Sequence, residues 1–491
     1  MKYLLIVLIS IQSLILVGQT EINRLTLDDV IYIAKQQSPD ALIAKHRFRR
    51  SYWQYRSYKA SYLPSVSVSG TLPNINNSIN EITLPDGSEE YVNQNFTKYS
   101  LDMSVRQRIG LTGGQIFLTS GLRRNDNTIG DSKNTAYNST PINIGYSQPL
   151  LQYNSFKWDR KIEPLKYEEA SRTYIENIEQ VALTATNHFF NLLDAQIQIE
   201  IAQKNLYSYD TLYHIAEGRY NLGKIAENEL LQLELNYLRA QAAQENAQLA
   251  YENMLFILKS YLRVTNDQPI ELIPPAETFH FTIDIDEAIK LAKENTSTAL
   301  AFDRRLLEAE SNVNQAKMDG RIDAELFAVY GLTQTAETIK GSYISPLEQK
   351  QLSLGITVPI LDWGRARGQI KMAESSAELT RTSIEQERID FEQNIYLKIK
   401  QFEMQENQLM IAAKSDTVAQ KRYEVTQQRY LIGKVNDVLE LNNAQIDNDN
   451  AKKAYYQSLN TYWTNYYTIR KLTLFDFKEG KKIEFDIREV E

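Results

Sequence analysis

Cysteine is absent from this 491-residue sequence. The absence excludes disulfide frameworks, thiol catalysis, thiolate metal sites and a lipid-bearing N-terminal cysteine. Basic residues are also in the minority, 54 against 62 acidic ones, and the sequence has no pronounced run of lysine and arginine. Such a chain is not expected to bind nucleic acid electrostatically.

Chemistry-bearing residues are scarce as well. The chain has four histidines, and they show no metal-binding spacing: His46, His188, His214 and His280. No nucleophile, base and orienting group occur at a recognisable spacing. The sequence therefore predicts a protein that is not an enzyme and that holds neither a metal nor another cofactor.

Long apolar runs are missing beyond the N-terminus. Met1-Lys2, the apolar run Leu4 to Val17 and Gly18 have the charge and length of a cleaved signal peptide, residues 1–18. No later stretch of about 18 apolar residues occurs, which excludes a membrane-spanning helix. Strands of a membrane barrel remain possible, because they need only about 10 residues of alternating polarity.

An internal duplication organises the rest of the chain. The motif Arg-Tyr-x-x-Gly-Lys occurs at residues 219–224 and again at 429–434, an offset of 210 that also relates Pro149 to Pro359. Farther upstream, Ala34-Lys35 matches Ala292-Lys293 at an offset of 258. The first of two equivalent halves therefore contains 48 extra residues.

These offsets divide the mature chain into segments. We predict a first structural repeat over 19–265, a linker over 266–280 that contains Pro274-Pro275, and a second repeat over 281–475. Residues 476–491 alternate in charge and are predicted to form a solvated tail.

Within each repeat, a helix is expected first and strands next. Leu25 to Tyr62 is predicted to be one helix. Period-two alternation predicts strands within about 64–150 and 324–360, each with one apolar and one wet face. The polar segments Asn74 to Asn95 and Asn125 to Pro141 are expected to be exposed loops. The 48 extra residues would lie in these loops or in an additional hairpin, with Gly110 to Gly114 as its turn.

Long helices follow the strands. Apolar residues repeat at a and d positions over six heptads between Pro164 and Gly218, which is typical of a coiled coil. A second helix returns after each Arg-Tyr-x-x-Gly-Lys motif, so the motifs are predicted to form hairpin tips at about 219–226 and 429–436. Gly223 and Gly433 would supply the positive φ that ends a helix.

One alternative for the first tip is a phosphate-binding loop. Gly218, Gly223 and Lys224 have its glycine and lysine spacing. Ile225 stands where that motif has serine or threonine, a helix instead of a strand precedes it, and Gln428 replaces the first glycine in the repeat. Nucleotide binding is therefore disfavoured.

The order of these features resembles one family. A signal peptide, a helix, strands ending in Gln148-Pro149-Leu150 or Val358-Pro359-Ile360, a long helical hairpin with Arg-Tyr-x-x-Gly at its tip, and repetition of the whole unit are similar to TolC-like outer-membrane efflux proteins. The resemblance covers about Leu25 to Phe475. It implies a mainly α fold with a transmembrane β-barrel portion, in which a homotrimer shares the barrel and a periplasmic helical barrel.

The resemblance also implies a function and partners. Such proteins are passive conduits in the outer-membrane lipid, coupled to an inner-membrane transporter of RND or ABC type by a periplasmic adaptor that docks on the hairpin tips. Four strands in each copy would give the family's usual twelve. The corresponding tip positions are Arg219, Tyr220, Leu222, Gly223, Lys224, Arg429, Tyr430, Ile432, Gly433 and Lys434, and Pro149 and Pro359 would mark the strand-to-helix junctions.

A second reading is an exported coiled-coil structural or surface protein without a channel. It explains the heptads and the signal peptide. It does not explain why strands precede both long hairpins at the same 210-residue interval.

Overall fold

The computed structural model describes residues 23–83, 85–129, 132–264, 270–276, 281–432 and 438–484, and two similar halves follow one another in this part of the chain. The predicted signal peptide lies outside the described residues. The elements of the first half are β1 (Asn23–Leu25), α1 (Leu27–Gln37), α2 (Pro39–Ala60), β2 (Ser65–Thr83), β3 (Glu89–Arg108), β4 (Gln115–Ile129), β5 (Ser132–Leu150), α3 (Ser155–Asn221) and α4 (Glu227–Leu262). The elements that follow are β6 (Ile270–Leu272), α5 (Ile285–Asn295), α6 (Ser297–Asp319), β7 (Asp323–Ala336), β8 (Leu347–Thr357), α7 (Arg365–Leu431), α8 (Val438–Thr473), β9 (Phe475–Asp476) and β10 (Lys481–Lys482).

Equivalent helices of the two halves have nearly equal lengths. The long helices α3 and α7 both contain 67 residues, about 100 Å at 1.5 Å per residue, and the return helices α4 and α8 both contain 36. The initial helices α1 and α5 both contain 11 residues. The predicted duplication of strands and long helical hairpins is confirmed.

The prediction of a single helix from Leu25 to Tyr62 was wrong. The chain forms α1 and α2, separated at Ser38, whose ψ of 152° is extended. Because Pro39 follows, the helical conformation of Ser38 is disfavoured. Ser38 is fully buried, and its hydroxyl accepts a hydrogen bond from the amide of Ala41 at 3.2 Å.

A six-stranded sheet dominates the strand-rich part, in the order β2-β3-β4-β5-β7-β8, and all neighbouring strands are antiparallel. The prediction of loops over Asn74 to Asn95 and Asn125 to Pro141 was wrong, because β2 to β5 continue through most of both segments. Polar side chains pair across these strands; Asn80 donates to Gln94 at 2.6 Å, and Gln94 donates to Asn127 at 3.0 Å. Cross-strand pairing outweighs the turn preference of isolated asparagines.

The additional hairpin of the first half is β3–β4. The offset of 258 aligns the start of β7 with the start of β2, and the offset of 210 aligns the end of β8 with Ser147 in β5. The turn between β3 and β4 includes the predicted Gly110 to Gly114, with Gly113 at φ 77° and the Ile109 amide donating to the Gly114 carbonyl at 2.8 Å. The 48 extra residues thus correspond to one inserted pair of strands.

The two faces of the sheet differ in polarity. Pairing places Val66, Val105, Leu118, Ile144 and Tyr330 in one row across five strands, and β8 adds Leu352 and Leu354 to the same face. Val66, Ile144, Tyr330, Leu352 and Leu354 are exposed. The opposite face carries hydrogen-bonded polar pairs, Ser67 with Ser104 at 2.9 Å and Ser147 with Glu325 at 2.8 Å. The predicted apolar and wet faces are both present.

The described residues divide into two compact units. The unit with the sheet comprises 49–170 and 297–388; the helical unit lies within 1–48, 171–296 and 389–491. The core of the helical unit packs Phe189, Leu192, Leu258 and Phe402, each at most 1% exposed. Full burial of each such side chain stabilises the fold by about 1.5–3 kcal/mol.

A buried ion-pair group crosses the helical unit. Glu179 of α3, 1% exposed, accepts from Lys35 of α1 at 2.7 Å and from Arg470 of α8 at 3.0 Å. Arg470 also donates to Asp476 at 2.6 Å. Asp476 is 3% exposed, so the prediction of a solvated tail was wrong at its first residue; residues 485–491 lie outside the described part.

The predicted linker contains a short strand, β6, which pairs in parallel with β1. Pro274 and Pro275 follow it, and residues 265–269 and 277–280 lie outside the described part. Among the described helices, none carries an apolar stretch long enough to cross a membrane.

Candidate functional site

The first hairpin tip is a tight helix ending. The Lys224 amide donates to the Arg219 carbonyl at 2.9 Å, and the Gly223 amide donates to the Tyr220 carbonyl at 2.8 Å. These two bonds and the φ of 63° at Gly223 form a Schellman ending, which satisfies carbonyl groups left open by the last turn of α3. The positive φ predicted for Gly223 is confirmed. Helix α4 begins four residues later.

Two glycines at this tip differ in what they require. A Cβ placed on Gly223 would meet no atom within 4 Å, so only its positive φ opposes substitution. Gly218 has equally open surroundings but lies inside α3. This helical position also removes the structural basis for a phosphate-binding loop, which needs Gly218 to lie between a strand and a helix.

Several predicted tip residues are exposed. Tyr220, Leu222 and Lys224 all face solvent in the described structure. Leu222 is 73% exposed. A single exposed leucine is ordinary on a protein surface, so its meaning depends on its neighbours.

Arg219 connects the two copies of the motif. Its guanidinium lies 5.2 Å from the centre of the Tyr430 ring and donates to the carbonyl oxygens of Tyr430 at 3.3 Å and Leu431 at 3.1 Å. The side chain thus combines a cation–π contact with capping of the last carbonyls of α7. Tyr430 is 1% exposed, and burial raises the pKa of its hydroxyl although Arg219 opposes the shift.

A small apolar cluster surrounds Tyr430. All four helices of the two hairpins contribute to it, which holds the hairpins together near their ends. Its buried members are Leu212 and Ala216 of α3, Leu233 of α4, Tyr423 and Tyr430 of α7, and Val438, Leu441 and Ala444 of α8.

Polar contacts continue the junction along α3 and α8. Asn205 donates to Asp449 at 2.6 Å and accepts from Gln445 at 2.6 Å, while Tyr209 donates to Asn442 at 2.8 Å. Burial raises the pKa of Asp449, although the amide donors favour its ionised form. Burial also raises the pKa of Tyr209 to about 12.

Sequence reasoning did not identify this polar layer. Asn205 lies three residues after Ala202 of the heptad seam and Asp449 lies 244 residues away, so neither spacing nor residue type indicates their pairing. The only signal is the alternation of two carboxylates and two amides over Asp447 to Asn450, which is too common to be specific.

The second tip is described only in part. Arg429 contacts Glu440 at 3.9 Å with its side chain 51% exposed, and Ile432 is 65% exposed. Gly433 and Lys434 lie outside the described residues, so the positive φ predicted for Gly433 stays a prediction.

The two prolines lie close to the ends of strands. Pro149 pairs with Glu325 and precedes Leu150, the last residue of β5. Pro359 lies two residues beyond the end of β8. Asp362 then accepts from the amides of Gly364 and Ala366, both at 2.9 Å, and thereby caps the start of α7.

Within the described part of the chain, no group of three or more histidine, cysteine or acidic side chains could hold a metal ion. His188 packs against the Tyr261 ring at 4.6 Å, and burial lowers its pKa. Exposed apolar and basic side chains are present at the tips, among them Leu222, Lys224 and Arg429.

Comparisons with known proteins agree with this architecture. The family model described as "Outer membrane efflux protein" matches residues 114–262 and 295–473. The comparison with curated proteins gives no match.

Solved structures show the same fold at low sequence identity. The Campylobacter jejuni CmeC outer membrane channel has a TM-score of 0.66 and 16% identity, covering 94% of this chain and 89% of its own. The Vibrio cholerae outer membrane protein VceC has a TM-score of 0.63 and 12% identity, with coverage of 93% and 97%. The open state of the Neisseria gonorrhoeae MtrE outer membrane channel gives 0.62 and 14%, with coverage of 94% and 91%.

Proposed function

The chain belongs to the outer membrane efflux protein family, and we propose that three copies of it form a passive channel across the outer membrane. The observation that carries this proposal is the two-faced sheet. Its apolar face extends over six strands, and its outermost strands, β2 and β8, each have one neighbour in the sheet. Exposed apolar rows suit lipid, and unpaired edges favour closure with further strands.

Three copies of a six-stranded sheet would give eighteen strands. This number differs from the twelve expected from four strands in each copy, because β3–β4 adds a pair. Barrels of 16–18 strands enclose an aqueous channel. In the proposed assembly β8 of each copy pairs with β2 of the next, and the serine-bearing face lines the lumen.

Export would be driven by other proteins. The described residues contain no recognisable catalytic group, so the conduit would supply a path and not energy. An inner-membrane transporter of RND or ABC type would provide the substrate, and a periplasmic adaptor would bind the hairpin tips. The exposed side chains of Leu222 and Ile432 support this role for the tips. The cargo would be small molecules or an exported polypeptide.

The channel is tested by extraction in mild detergent, light scattering and reconstitution into planar bilayers. We expect a trimer that conducts ions in discrete steps. A monomer without conductance would overturn the channel and favour the exported coiled-coil structural protein.

Adaptor docking is tested with Leu222→Ser and Ile432→Ser combined. Leu111→Ser is the matched control, because Leu111 is 78% exposed and belongs to the other compact unit. We expect the double variant to lose pump-dependent export and adaptor co-purification while its bilayer conductance is unchanged. Normal export by the double variant would contradict docking at the tips.

A further inference from the structure

The duplication creates two kinds of junction between hairpins. Positions in α3 correspond to positions 210 residues later in α7, and positions in α4 correspond to positions 211 residues later in α8. One chain contains the junction from the first hairpin to the second. The junction from the second hairpin to a following first hairpin requires another copy of the chain.

We call the junction that lies within one chain the filled junction, and it has a defined set of contacts. Arg219 of α3 stacks on Tyr430 and caps the end of α7. Farther along, Asn205 of α3 is bonded to Asp449 of α8. All these residues belong to the helical unit.

The equivalent side chains of the other junction are exposed. Arg429 corresponds to Arg219, and its side chain is 51% exposed. Tyr220 corresponds to the buried Tyr430, and it is 39% exposed. The same arginine and tyrosine are therefore present for a second junction.

Helix α7 carries a matching apolar stripe. Five side chains at intervals of seven residues are between 47% and 65% exposed: Leu397, Met404, Ile411, Val418 and Val425. Their counterparts in α3 include Ile201, which is buried in the core, and Ser208, which is bonded to Tyr423 and Gln427. A heptad stripe of this length is the usual surface of a helix that packs on another helix.

Helix α4 carries the complementary surface. Leu231 and Leu238 are 54% and 53% exposed. They correspond to Asn442 and Asp449, the α8 residues that bind α3 in the filled junction. The equivalents of their partners Tyr209 and Asn205 are Ala419 and Ser415 of α7, so leucines facing small side chains replace the polar contacts of the filled junction.

We propose that the second junction is formed with another copy of this chain. Arg429 stacks on Tyr220 of the neighbouring copy and donates to the carbonyl oxygens at the end of its α3. The α7 stripe packs on α3 of that copy, as Ser208 meets Tyr423 within one chain. Leu231 and Leu238 of its α4 lie against Ala419 and Ser415, the equivalents of Tyr209 and Asn205. Repetition of one junction around an axis closes a ring without leaving an open surface. The inference rests on the proposed trimer and specifies which residues meet between copies.

The absence of cysteine allows a direct test by cross-linking. Ser415 and Leu238 correspond to Asn205 and Asp449, whose side chains are in contact within the chain. The pair Ser415→Cys with Leu238→Cys should therefore form a disulfide between copies under mild oxidation. Asn205→Cys with Asp449→Cys is the matched control and should form its disulfide within one chain.

Denaturing gels separate the outcomes. We expect dimers and trimers from the Ser415→Cys/Leu238→Cys variant and monomers from the control, each reversed by reductant. If light scattering gives a trimer and the control oxidises but the test pair does not link copies, the inference is overturned and the channel stands. If light scattering gives only monomers, the proposed channel itself fails.

Discussion

The first and second hairpin tips share a six-residue motif but bury different parts of it. At the first tip Arg219 contacts the other hairpin and Tyr220 stays partly exposed. At the second tip Tyr430 is buried and Arg429 is exposed. Identical residues thus differ in environment because one chain contains only the junction from its first hairpin to its second.

The difference shows how a duplicated sequence can serve two interfaces. Residues that repeat in sequence need not repeat in burial, since burial depends on which neighbour the chain itself provides. The tyrosine and arginine variants below each change one member of an equivalent pair, so that the second member is the control.

Tyr430→Ala should have the largest effect. It removes a ring that is 1% exposed and leaves a cavity, so we expect the tip to lose about 3–5 kcal/mol of stability. Hydrogen exchange of the tip amides measures this loss. Tyr430→Phe, which keeps the ring, should retain most of the protection. Tyr220→Ala should instead weaken association between copies, seen as a lower dissociation temperature in light scattering. Equal losses of tip protection in both alanine variants would contradict the difference in burial.

Arg219→Ala should have the next largest effect. It removes the cation–π contact and the bonds to two carbonyl groups, and we expect about 1–2 kcal/mol less protection at the end of α7. Arg219→Lys keeps the charge but not the planar fork, so it should restore only part of the protection. Arg429→Ala should leave amide exchange within a copy nearly unchanged and reduce association. If Arg429→Ala destabilised α7 as much as Arg219→Ala, the two arginines would not differ as described.

Gly223→Ala should cost about 1 kcal/mol, because alanine resists the positive φ of the Schellman ending. Gly218→Ala should be neutral or stabilising by up to about 1 kcal/mol, since that glycine lies inside a helix with open surroundings. Thermal unfolding followed by circular dichroism gives both values. Bulky residues at Gly223 and Gly433 together should impair adaptor docking while trimers persist. A stabilising Gly223→Ala would be inconsistent with the observed turn.

Deletion of Glu89–Ile129 should have the smallest effect, and it makes the first half resemble the second. The change removes β3 and β4 and leaves β2 and β5 as an antiparallel pair, so three copies would have twelve strands instead of eighteen. Barrel diameter grows roughly with strand number, so single-channel conductance should fall by roughly twofold at most. Unchanged trimers with unchanged conductance would indicate that β3–β4 does not line the pore.

The sequence was most informative where it repeats. The motif at Arg219 and Arg429, with its constant offset, led to the paired long helices and to the positive φ at Gly223, because both depend on local residues. It was least informative where distant segments meet. The asparagine-rich part of β2 was predicted as loop because its pairing with β3 is a property of two strands. The Arg219–Tyr430 contact, 211 residues apart, likewise has no local signature.

The break at Ser38 was readable but missed. The Ser38-Pro39 pair interrupts the helical pattern, and in the structure the buried Ser38 is the residue at which α1 ends. In the second half Thr296 makes the equivalent break without a proline, where the helical pattern alone gives no warning.

The even number of sheet strands in each half limits how this sheet can change. Four strands lie in the first half and two in the second. Strand pairing places the start of β2, the end of β5, the start of β7 and the end of β8 at the same end of the strands. An even number returns the chain to the side from which it came, so the helices that follow begin where they did before. A single added strand would send the next helix to the wrong side. Such a sheet can therefore widen or narrow only by whole hairpins, and the first half has done so once.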